Sequence, residues 1–90
     1  MSFRDVPFAA IRKLLLELGF VEKTVEKTPV THVPALIFGH AESGTVFTFR
    51  KYRPRERVSN YDLLGIRSQL DWNGLLSEAA FDAALRKASA

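Results

Sequence analysis

Apolar positions along the chain change their spacing three times, and each spacing predicts a different element. Ile11, Leu14, Leu15 and Leu18 fall at i, i+3, i+4 and i+7, the period of a helix with one apolar stripe. Asp5 or Val6 is placed to cap this helix, Pro7 suits its first turn, and Gly19 supplies a stop. The helix is predicted from about Pro7 to Leu18.

The segment Phe20 to Lys27 overlaps the echo Val-Glu-Lys-Thr-Val-Glu-Lys-Thr at 21–28, with one apolar residue in four and Pro29 directly behind. Such a polar, β-branched run reads as an edge strand, with a helix as the competing assignment. Ala35-Leu-Ile-Phe-Gly-His40 is short and apolar, bounded by Pro34 and the turn-like Glu42-Ser-Gly44, as a central strand requires. Thr45 to Tyr52 is its hairpin partner, rich in β-branched and aromatic residues. Phe38, Phe47 and Phe49 are expected in the core or on the sheet face.

Ser59-Asn-Tyr-Asp62 places an acid three residues after a capping hydroxyl, a variant of the capping box. The stripe that follows is Leu63, Ile66, the stem of Arg67 and Leu70, with Trp72 expected to pack at the helix end and Gly74 to stop it. Ser77 opens a last short helix with Phe81 and Leu85 four apart. The expected class is α+β: helix, three-stranded antiparallel sheet, helix and a short C-terminal helix, in one domain spanning residues 1–90. Ninety residues, 47% of them apolar, suffice for a single core.

Charge sharpens this picture. The net charge is +3, yet Arg50, Lys51, Arg53, Arg55 and Arg57 against Glu56 place +4 within eight residues, and the remainder of the chain sums to −1. A patch of this kind attracts a polyanion, and a solvated strand exit defended by charge has the same composition. Guanidinium groups bind phosphate bidentately, and Tyr52 offers a ring on which an unpaired base or an arginine can stack. The N-terminus of the following helix, near Asn60 and Tyr61, adds free N–H groups, with Asp62 competing for the same positive end.

Other chemistry finds less support. The absence of cysteine excludes disulfides, thiolate metal sites and a cysteine nucleophile, and it suits a reducing compartment. The opening residues lack the apolar run of a signal peptide and no stretch approaches the length of a membrane span, so a cytoplasmic protein with no membrane contact is expected. His32 and His40 are the side chains that change charge near neutral pH and so are the candidates for acid–base work. Neither sits in a metal-ligand spacing, so no metal and no cofactor is expected. For His40 the competing reading is an imidazole satisfied by the turn Ala41-Glu-Ser-Gly, and for His32 a solvated loop residue. Ser43 lacks an evident base and oxyanion hole, and Gly44 belongs to no phosphate-binding loop.

Three phrases carry a family resemblance: Ile11-Arg-Lys-Leu-Leu-Leu-Glu-Leu-Gly-Phe20, Phe38-Gly-His-Ala-Glu-Ser-Gly-Thr45, and Val58-Ser-Asn-Tyr-Asp-Leu-Leu-Gly-Ile-Arg-Ser-Gln-Leu70. In them the chain resembles HicA-like toxins, small proteins with a fold like that of double-stranded-RNA-binding domains. The resemblance implies metal-independent cleavage of messenger RNA by a histidine that follows Gly-Ser at the start of the central strand, and neutralisation by a HicB-like antitoxin. Here Ala35 stands at that histidine's place, preceded by Val33-Pro34, and alanine cannot transfer a proton. Three explanations remain open: His32 has taken the role through a local insertion, the chain is a naturally inactive relative, or Ala35 is a silencing substitution. The rival from another class is a protein-interaction module that meets an acidic partner through residues 50–57 and docks it on the edge strand or the aromatic hairpin face. A third reading makes the basic segment no more than a soluble surface.

Overall fold

The computed structural model describes residues 6–25 and 35–89. Its elements are α1 (Phe8–Glu17), β1 (Val21–Val25), β2 (Ala35–His40), β3 (Thr45–Arg50), α2 (Asn60–Trp72) and α3 (Glu78–Ser89). The class is α+β, with an open sheet in the order β1-β2-β3, both pairs antiparallel. The polar run after Gly19 is therefore an edge strand, and the apolar run from Ala35 is the central one. Glu26, Lys27 and His32 lie outside the described residues.

Alternation along the strands decides what each face does. Leu36 and Phe38 of β2 and Phe47 and Phe49 of β3 are buried with Phe8, Ile11 and Leu15 of α1 and Leu63, Ile66 and Leu70 of α2. Phe38 lies opposite Phe47, and Leu36 opposite Phe49, so both pairs share the face that packs on the helices. Ala35, Thr48 and Arg50 fall on the other face by the same alternation.

The helix ends differ from expectation in instructive ways. The N-cap of α1 is Pro7, which makes no side-chain cap; the N–H groups of Phe8 and Ala9 donate instead to the carbonyls of Glu56 (2.8 Å) and Pro54 (2.9 Å). Val6 does not cap α1: its carbonyl accepts from the N–H of Val58 at 2.9 Å, and Asp5 lies outside the described residues. Gly19 takes φ +97° as α1 gives way to β1, and Gly74 takes φ +71° after α2, a region open to glycine without a Cβ clash.

The Ser59 hydroxyl caps α2, accepting the N–H of Asp62 at 3.2 Å. The box is not reciprocal, because the Asp62 carboxylate is taken by the Tyr52 hydroxyl while the Ser59 N–H points to that same hydroxyl at 3.4 Å. The last helix runs twelve residues. Ser77 caps it through the N–H of Ala80 at 3.2 Å, and Arg67 ties it to α2. The Arg67 guanidinium donates to both oxygens of Asp82 (2.9 and 3.1 Å) and to Glu78 (2.8 Å). Asp82 is buried, so this fork satisfies an acid that would otherwise lose its hydration without a partner.

Candidate nucleic-acid interface

Residues 50–58 leave the sheet at the end of β3 and return to the N-terminus of α1. Two buried side chains, Tyr52 and Val58, fix the ends of this segment. Between them the chain turns at Pro54, with the Glu56 N–H donating to the Arg53 carbonyl at 3.0 Å. The carbonyls of Pro54 and Glu56 cap α1, and Arg57 bridges Pro7. A backbone held on one side by α1 leaves its charged side chains on the other: Arg50, Lys51, Arg53, Arg55 and Arg57 are all exposed.

The cations are not equivalent. Arg50 pairs with Glu56, whose carboxylate also accepts the Arg53 N–H at 3.1 Å. The Arg50 hydrogen bond, then the Arg53 N–H, hold the Glu56 carboxyl below the usual carboxylate range, against a smaller opposing effect of desolvation. That same bond raises the Arg50 guanidinium further above its already high value. Lys51, Arg53 and Arg55 make no side-chain ion pair among the described residues, and with Arg50 and Glu56 they line a shallow concavity. These three are the charges open to an anionic ligand.

Tyr52 does not present a ring to a base. It is 5% exposed, stacked on Phe8 with centroids 5.2 Å apart, and the Arg50 guanidinium lies 4.0 Å from its centroid. Of the two partners the sequence suggested for this ring, the arginine occupies it. Its hydroxyl donates to Asp62 at 2.7 Å, so Asp62 faces the segment as the acceptor of a fixed hydrogen bond.

Ala35 and Arg50 are cross-strand partners. Directly opposite residues hold their Cβ atoms about 4.5–5.5 Å apart on one face of the sheet, so Ala35, itself buried, stands beside the first arginine of the basic segment. His40 does not share this site. Five residues along β2 put it about 17 Å from Ala35 and on the opposite face. Its Nδ1 accepts the Ser43 N–H at 3.3 Å and lies 2.9 Å from Ser43 Oγ, and its ring packs on Phe20 with centroids 5.1 Å apart. Ser43 Oγ also accepts the Thr45 N–H at 3.2 Å and lies 2.7 Å from Thr45 Oγ1. Both groups are thus engaged within the turn, and His40 is remote from every arginine of the segment.

Among the described residues no group of three or more His, Cys, Asp or Glu side chains could hold a metal ion, and no helix is long and apolar enough to cross a membrane. The sequence reading missed two exposed aromatic residues. Tyr61 is 86% exposed, and Trp72, expected to pack at its helix end, is 85% exposed. The helical period could have found them, since both fall opposite the stripe Leu63, Ile66 and Leu70.

No protein-family model, curated protein or solved structure matches this chain.

Proposed function

We propose that this chain is an RNA-binding relative of the HicA-like toxins that grips RNA phosphates with Lys51, Arg53 and Arg55 and does not cleave. The observation that carries the reading is the presentation of these three unpaired cations from a loop anchored by Tyr52, Val58 and the α1 cap. Phosphate contacts of this kind release condensed counterions, give affinity without sequence preference and weaken with salt. The order α-β-β-β-α-α opens with the helix, three-stranded sheet and helix in which the three resembling phrases lie, and Ala35 stands opposite Arg50.

In an active relative, a histidine at position 35 would take the proton of a ribose 2′-hydroxyl. The freed oxygen would attack the adjacent phosphorus as the bond to the 5′-oxygen breaks, with arginines holding the phosphate charge. Alanine removes the base and leaves the cations, so binding without turnover is the expected behaviour. A HicB-like antitoxin would be the protein partner, and the cytoplasm the compartment.

The test is titration of fluorescent single-stranded RNA at two salt concentrations, with binding and cleavage followed together. Salt-sensitive binding without cleavage supports the reading. Absence of binding at low salt would move the assignment to a module that meets an acidic protein through residues 50–57.

A further inference from the structure

Helix α2 turns an apolar, uncharged face away from the core. Tyr61, Leu64, Gly65, Ser68 and Trp72 share it at helical spacing, and Tyr61 (86%), Trp72 (85%) and Leu64 (47%) are all exposed. Aromatic rings exposed to this degree are enriched where proteins meet. Gly65 adds an observation of a different kind. A glycine inside a helix costs about 1 kcal/mol relative to alanine, yet nothing lies within 4 Å of where its Cβ would stand. Packing within the chain therefore gives no reason for it, whereas close approach by a second backbone does.

We infer that this face pairs with α2 of a second copy, antiparallel about a two-fold axis between the levels of Ile66 and Arg67. In that register Tyr61 of each copy meets Trp72 of the other and Gly65 meets Ser68 at the crossing, with Leu64 at the edge of the face. Large residues stand at both ends and small ones in the middle, so the pattern reads alike from either end, as an isologous interface demands. Antiparallel pairing sets the positive N-terminal end of each helix beside the negative C-terminal end of the other. None of the five face residues is charged, so their pairing brings no like charges together in a chain of net charge +3.

Area sets the strength. Tyr and Trp bury about 150–250 Å² each when fully covered, so four rings at this exposure contribute about 500–850 Å² across the pair before Leu64 is added. That lies at the low end for specific association, below about 1,200 Å². The pairing is accordingly weak and reversible, and it does not depend on the RNA reading.

Sedimentation equilibrium of the full chain between about 10 µM and about 1 mM, with the emission of its single tryptophan followed in parallel, tests the pairing. The mass should rise toward that of a dimer while Trp72 emission moves to shorter wavelength as the indole leaves water. Trp72→Ala and Gly65→Leu should both remain monomeric. Gly65→Leu also separates a lost interface from a lost fold, because leucine at a mid-helix position should keep or raise the melting temperature of the dilute protein while dimerisation disappears. A monomer with unchanging emission over the whole range, or a dimer that either variant retains, overturns the inference.

Discussion

The Tyr52 hydroxyl donates to Asp62 Oδ2 at 2.7 Å, joining the exit of β3 to the first turn of α2. That bond, the stacking on Phe8 and the Arg50 guanidinium make Tyr52 the anchor of the basic segment. Tyr52→Phe keeps the ring and removes the bond, leaving Asp62 and the Ser59 N–H to water. Stability in urea should fall by about 1–2 kcal/mol, with RNA affinity at low salt unchanged because no cation is lost.

Glu56 restrains one of the arginines, and its removal should show in RNA binding. Glu56→Gln raises the charge of residues 50–57 from +4 to +5. It should steepen the dependence of log K on log salt by about 0.7 for single-stranded RNA. The pH dependence has a defined sign. Because the Glu56 carboxyl is held below its ordinary value, its pair with Arg50 is complete above the ordinary carboxylate range and is lost only as pH falls through the lowered value. Wild-type RNA affinity should therefore rise toward that of Glu56→Gln only in the acid range, measured by parallel titrations of the two proteins.

The fold was legible where one rule governed a segment. The apolar period of α1 and the β-branched run of β3 were each dictated by local pattern, and the polar edge strand by its charges. The site was legible only as a cluster of charge. Spacing cannot show that Pro54 and Glu56 lend their carbonyls to α1, or that Phe8 lies against Tyr52 across forty-four residues of sequence, because those contacts follow from tertiary packing. The burial of Asp82 escaped for the same reason, since an acid in an exposed-looking helical turn gives no sign that Arg67 of another helix reaches it.

That fork supplies a stability prediction. Asp82 takes two guanidinium bonds in a buried position, whereas Glu78 takes one at the surface. Asp82→Ala should lower the melting temperature well below that of Glu78→Ala, because it leaves Arg67 without its buried acceptor while the second change removes a bond that water replaces. Calorimetry of the two variants side by side measures the difference.

Ala35 is 3% exposed on the central strand, so a larger side chain there must displace its neighbours. Ala35→His should cost about 1–3 kcal/mol in stability through overpacking. It should also introduce RNA cleavage and growth arrest, neither of which the wild-type chain would show. A folded Ala35→His variant that binds RNA without cleaving it would end the view that only this imidazole is missing.

The central claim is that Lys51, Arg53 and Arg55 hold RNA phosphates, and the salt dependence of RNA binding tests it most directly. Replacing all three by glutamine should weaken binding at low salt and flatten the slope of log K against log salt by about 2 for a single strand. An unchanged slope in that triple variant, or a wild-type chain that fails to bind RNA at low salt, would contradict the account.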